Sequence, residues 1–236
     1  MNIKNLFFEI INAFKTPKLT IDAEIKVAKK SNTLYLSVFK ELELSSKKPP
    51  AIPPLLCSLQ YGIALLPLPC SSDKYFKTLS RSTHRKIDKA KRNNYNFKRI
   101  HYNDYLDEIA QMHGSIPIGH GQIESKLLKA TLQTFSNPAL HDDKHDYPYF
   151  GIFTEGHLVA YAGCLVAEEL LLLLTVFVHE QYNSDCIAPY LITSIADYKY
   201  QNYPDVKYFL YGNYYGASPS LSHFKKRHRF PPHSIT

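Results

Sequence analysis

The sequence predicts an α/β protein, on three observations. Residues 149–200 alternate apolar runs with short polar turns in the order strand, turn, strand, turn, strand, loop, helix. Residues 73–92 carry a one-sided apolar stripe at helical spacing, followed by a strand-like run at 95–100. Residues 207–211 read as a further strand, and Ser218-Pro219 beyond it opens a helix as N-cap and first helical residue.

The N-terminal third is the least patterned part. Leu6, Phe7, Ile10, Ile11 and Phe14 are spaced for an amphipathic helix. Glu9 interrupts the apolar run and no small-residue cleavage site follows, so a helix packed on the domain is expected rather than a signal peptide. Residues 20–30 and 33–44 read as a pair of elements, strand or helix. A proline-rich connection spans 45–56, and 61–68 reads as a buried strand closed by Pro67 and Pro69.

The next element concentrates the charge. The chain of 236 residues has a net charge of +7. Residues 74–101 hold ten basic side chains against one acid, Asp88, which makes +9 and leaves −2 for everything else. Asp73 is placed as N-cap of a helix whose buried face is Phe76, Leu79, Thr83, Ile87 and Ala90. Arg81, Arg85, Lys89 and Arg92 lie opposite. A face of this sign without compensating acids suits an anionic partner: a cofactor phosphate, a nucleic-acid backbone or an acidic polymer.

Residues 102–112 have helical spacing, and 113–121 form a loop rich in glycine and proline that carries His113 and His120. A helix is expected near 123–135. Residues 136–147, with His141, Asp142, Asp143, His145 and Asp146, read as an exposed polar loop rather than a metal site, since no ligand spacing on a helix supports one. The run 170–178 is nine residues long and suits a doubly buried strand. The 21 residues 158–178 exclude a membrane span, because Glu168 and Glu169 at the midpoint would cost roughly 2.5–3.5 kcal/mol each. Four cysteines without C-x-x-C spacing suggest neither zinc nor a disulfide framework, so a reducing cytoplasm is the expected compartment.

The order of elements in 149–200 resembles the GNAT superfamily of N-acetyltransferases. In that family a strand runs into a [Gln/Arg]-x-x-Gly-x-[Gly/Ala] loop that opens a helix and wraps the pyrophosphate of acetyl-CoA. Asn183 stands here at the first position, Cys186 at the middle glycine and Ala188, which matches, at the last. The string 80–95, with Arg85-Lys86, Ile87, Lys89-Ala90 and Asn94 in a glycine position, resembles the helix preceding the first strand in Fem-type aminoacyl transferases and their single-domain relatives. The ending Leu221-x-x-Phe224-Lys225-x-x-x-x-Phe230-x-Pro232 resembles that family's last helix and strand, leu-x-x-phe-lys-x-x-phe-gly-phe-x-pro.

The resemblance covers residues 75–232. It implies a GNAT-like mixed, mostly antiparallel sheet flanked by helices on both faces, with residues 1–72 as an N-terminal extension and 73–236 as the acyltransferase domain. It implies transfer of an acyl group, acetyl above all, from CoA to a small or sugar-linked amine, with no metal. Val176, Phe177 and Val178 would line the pantetheine. Asn183, Ser184, Asp185, Cys186, Ile187 and Ala188 would meet the pyrophosphate, with Asp185 also read as a helix N-cap. His113, His120, Arg81 and Arg85 would face the acceptor or another anion. The family's helix tyrosine falls nearest Phe224, so Tyr214, Tyr215 or His223 is the substitute acid. Glu168, Glu169, Glu180 and His179 are the candidate bases. Two other readings stay open: an aminoacyl-tRNA-dependent transferase with tRNA on the basic helix, and a non-catalytic nucleic-acid-binding or scaffold domain on a decayed GNAT fold.

Overall fold

The computed structural model describes residues 16–20, 33–46, 61–115, 134–136, 141–142, 144–215 and 217–235. The expected helix at 6–14, the expected helix at 123–135 up to residue 133, the proline-rich stretch beyond residue 46, most of 20–30 and the loop carrying His120 lie outside the described residues; residues 134 and 135 are described and are not helical.

The described elements are β1 (Lys18–Leu19), α1 (Thr33–Ser46), β2 (Tyr61–Pro67), α2 (Ser72–Thr78), α3 (Arg81–Arg92), β3 (Asn96–Ile100), a 3-10 turn (Tyr102–Tyr105) and α4 (Leu106–Ser115). After them come β4 (His145–Asp146), β5 (Tyr149–Thr154), β6 (His157–Ala167), β7 (Leu170–Val178), a second 3-10 turn (Glu180–Asp185), α5 (Ile187–Asn202), β8 (Tyr208–Tyr215), α6 (Pro219–Arg227) and β9 (Pro232–Ile235). They build one nine-stranded sheet in the order β1-β9-β2-β8-β7-β6-β5-β3, with β4 on β6. Pairing is antiparallel except for β1 with β9 and β7 with β8.

The period-two pattern of the central strands explains both layers. Along β6, Ala160, Ala162, Cys164 and Val166 face a core shared with Ile87, Ala90, Leu191 and Ile195 of α3 and α5. Leu165 and Ala167 face the opposite core, completed by Tyr35 of α1, and Tyr161 meets Ile109 and Met112 of α4 on that side. Where β5 meets β6, a Cβ on Gly151 would sit 2.5 Å from Leu158 Cδ1 and 2.9 Å from Phe153 Cε2, so any larger residue there requires those two side chains to shift.

The basic segment is two helices rather than one. Ser71, not Asp73, caps α2, and Ser80 accepts from the Thr83 N–H to cap α3. The apolar stripe runs continuously through both helices, which is why spacing alone joined them; the serine cap breaks the chain at Leu79–Ser80. Past the end of α3 and its C-cap Asn93, Asn94 is left-handed at φ 58, as an asparagine tolerates. The expected loop at 113–115 is also helical, since α4 runs through His113 to Ser115.

Candidate functional site

β7 and β8 pair in parallel only over Leu170↔Tyr208, Leu171↔Phe209 and Leu172↔Leu210. Both strands then continue while pairing on their other sides, β7 with β6 as far as Val178 and β8 with β2 as far as Tyr215. Beyond residue 172 they separate into a wedge. Burial records the opening: residues 170–173 are buried, Leu174 and Thr175 are exposed, and Val176, Phe177 and Val178 are half-buried. Leu174 is 38% exposed, an apolar side chain left on a strand inside the sheet.

At the open end β7 runs through the turn Glu180–Asp185 into α5. Cys186, in the place of the family's glycine, is left-handed at φ 64, the backbone that glycine would adopt. No side chain caps α5, so the N–H groups of Ile187 and Ala188 receive no side-chain acceptor there. Asp185 does not cap the helix as expected. Its carboxylate accepts from the Tyr95 hydroxyl at 2.7 Å and pairs with Lys89 at 3.2 Å, and these bonds hold its pKa below the usual range. Lys89 also donates to the Ser184 carbonyl, so the basic helix is tied to this loop. Asn183 and Ser184 are exposed, and Asn183 donates to Glu180.

On the α4 face of the wedge, His113 is buried with its Nε2 2.7 Å from the Tyr161 hydroxyl and its ring 4.3 Å from Phe177. Burial lowers its pKa, so the ring is neutral at pH 7. The Glu180 N–H donates to Ser115 Oγ, which fixes the start of the turn against α4. His179 caps that turn, its Nδ1 accepting from the Gln181 N–H.

The opposite face holds a residue that the sequence reading passed over. Lys225 of α6 is 2% exposed, donates to the Asn213 carbonyl and lies over the Tyr211 ring at 5.3 Å. No carboxylate pairs with it among the described residues, and burial pushes its pKa down to about 8. Asn213 belongs to the part of β8 that has left β7. The signal is present in the sequence: Lys225 is the lysine of the terminal pattern, beside Phe224.

Other candidates lie elsewhere. Glu168 occupies the β6–β7 turn, about 30 Å along the strand from Val178, and pairs with Lys144. Glu169 beside it pairs with Lys207. His223 is exposed and contacts Arg227. Tyr215 ends β8 opposite Tyr61, buried beside Gly62 with its ring 5.1 Å from that of Tyr214. Arg81 and Arg85 are exposed on α3. The 136–147 stretch is not uniformly an exposed loop: Asp146 is buried and takes bonds from Tyr203, Arg99 and the Tyr147 N–H, which explains its burial. No group of three or more metal-ligating side chains gathers among the described residues.

A parallel pair that splays between strands whose other neighbours are antiparallel, followed by helix, strand and helix, is a GNAT-like fold. No protein-family model and no curated protein matches the chain. Solved structures do. The C-terminal domain of a putative lysylphosphatidylglycerol synthetase from Agrobacterium fabrum is 13% identical with a TM-score of 0.47, covering 72% of this chain and 57% of that one. L-PGS from Bacillus licheniformis is 16% identical with a TM-score of 0.44, over 72% of this chain and 56% of that one. A tandem GNAT protein from the clavulanic acid biosynthesis pathway is 11% identical with a TM-score of 0.41, over 59% and 42%. The chain thus spans a little over half the length of the first two, and these likenesses carry no activity to it.

Proposed function

We propose that this chain transfers an acyl group from a CoA thioester to an amino group, in the wedge between β7 and β8. The observation that carries the proposal is the splay itself. Past residue 172 the backbone groups of β7 that face β8 have no partner on that strand. Unpaired N–H and C=O groups at a strand edge need partners, and an extended amide chain such as pantetheine supplies them in the manner of an added strand. The left-handed turn at Cys186 and the uncapped first turn of α5 then meet the diphosphate through backbone N–H groups and the helix dipole.

Each face of the wedge contributes one proton-handling group. Neutral His113, linked to the Tyr161 hydroxyl, accepts the proton of the attacking amine. A β7 N–H polarises the thioester carbonyl and stabilises the oxyanion. As the carbon–sulfur bond breaks, Lys225 protonates the departing thiolate. Its pKa of about 8 lies close to the value of roughly 8.5 for a free thiol, so proton transfer is nearly isoergic. The acceptor class is a small or sugar-linked amine.

A second reading has one observation in its favour. Arg81, Arg85, Lys91 and Arg92 are all exposed on α3, the helix tied to the loop, and would suit a tRNA-borne aminoacyl donor. Thermal shift with acetyl-CoA and with bulk tRNA at low salt separates the two. Acetyl-CoA at a hundredfold over Kd adds about 2.7 kcal/mol, a rise of roughly 5–10 °C in Tm. Cys186→Gly keeps or enlarges that rise because glycine suits φ 64, whereas Ala188→Leu abolishes it by bulk. A shift with tRNA and none with any acyl-CoA replaces the first reading by the second.

A further inference from the structure

A cavity of about 550 Å³ opens at the end of α6, on the β2 side of β8 and apart from the wedge. Its walls are apolar: Leu66 and Pro67 of β2, Phe230, and the ring of Tyr214. Two cations, Lys226 and Arg229, line it and no carboxylate does. Among the described residues neither cation makes an ion pair. A volume of this size is that of a small-molecule site, and its charge is one-sided.

The backbone beneath Arg229 supplies an independent observation. α6 ends in a Schellman turn: the Phe230 N–H donates to the Lys225 carbonyl and the Arg229 N–H to the Lys226 carbonyl. That turn places Arg229 at φ 60, where glycine is the favoured residue and an L side chain is strained. A long cationic side chain is thus kept at a strained position and brought to the wall of an apolar cavity. Strain of this kind clusters at ligand clamps and active sites. The same two hydrogen bonds occupy carbonyls of the last turn, which weakens the negative pole that would otherwise repel an anion.

We propose that this cavity binds a phosphomonoester carried on an apolar body. Arg229 offers its planar fork to the phosphate oxygens and Lys226 supplies the second positive charge, which together match a dianion. Leu66, Pro67 and Phe230 take the apolar body out of water. A polymer backbone does not suit the site, since half of its wall would press charged phosphates against apolar surface. The proposal stands on the cavity and the turn alone and does not depend on acyl transfer in the wedge.

Calorimetry on the full chain tests it with octyl phosphate, kept below its micellar concentration, against inorganic phosphate and octyl glucoside. Octyl phosphate is expected to bind at least ~10-fold tighter than either control. Arg229→Gly is expected to weaken that binding at least ~10-fold while raising Tm by about 2–4 °C, because glycine relieves the turn. Lys226→Gln should weaken binding with Tm unchanged. Gain of stability with loss of affinity in one variant is an outcome that misfolding cannot produce. Equal binding of octyl glucoside or inorganic phosphate, or an Arg229→Gly chain that keeps the parent affinity, overturns the proposal.

Discussion

Replacing Lys225 with methionine is expected to lower acyl transfer by about two to three orders of magnitude and to make the protein more stable. Both effects come from one fact, the burial of an ammonium group without a carboxylate. Burial costs the charged form enough to bring the pKa down to about 8, and a thioether of similar length occupies the same space without that penalty. The stability gain should be of the order of 1–3 kcal/mol, reduced by the lost bond to the Asn213 carbonyl. The rate loss is the size expected when one charge-stabilising or proton-donating group is removed. Urea unfolding and a single-turnover assay on the same preparation check the pair. The folded pKa lies below the unfolded value of roughly 10.4, so the unfolded chain holds the proton longer and the penalty of Lys225 is relieved as pH rises from about 8 to 10. Lys225→Met should flatten that arm.

The second large effect belongs to His228. It is 1% exposed, stacks on Phe224 at 4.2 Å, and neither ring nitrogen has a hydrogen-bond partner among the described residues. Burial first, then the charges of Lys86 and Arg227, push its pKa down to about 4. The unfolded chain protonates near pH 6.5, before the folded one. Stability from the neutral ring is therefore complete above about pH 7 and is lost as pH falls toward 4, by roughly 3 kcal/mol in all. His228→Phe removes this dependence and also the two unsatisfied nitrogens, with a gain of about 1–2 kcal/mol at pH 7. Urea midpoints at pH 7.5 and 4.5 measure it. The parent midpoint should fall between them far more than that of the variant, with the remaining slope carried partly by His113, whose pKa burial also lowers.

Strands and turns with regular patterns were legible in the sequence. The apolar runs at 158–167 and 170–178 fold as the β6–β7 hairpin, and Ser218-Pro219 opens α6 with the Ser218 side chain accepting from the Leu221 N–H. The wedge follows from the GNAT-like layout that the order of elements implied: β7 pairs with β8 over three residues and then leaves it. What sequence letters obscured was backbone conformation. Asn94, Cys186 and Arg229 each fall on a glycine of the patterns that this chain resembles, and each is left-handed, at φ 58, 64 and 60. The glycines are replaced in the letters, but the turns themselves are retained. Side-chain partners across the fold were not legible at all. Asp185 reads as a cap from its position before α5, but Lys89 and Tyr95, far away in sequence, take it first. Lys225 and His228 sit among charged neighbours on a short helix, and only the packing of α6 on β8 and beside α3 buries them.

Amide hydrogen exchange of the full chain with and without saturating CoA tests the central claim most directly, because it reports where the CoA body of the donor lies without requiring the acceptor. The expected result is slowed exchange in two places: residues 174–178 on the open edge of β7, and residues 186–188 at the left-handed turn and first turn of α5. Protection confined to α3 or to the end of α6, or no protection at a CoA concentration that raises Tm, would contradict a wedge-bound acyl donor.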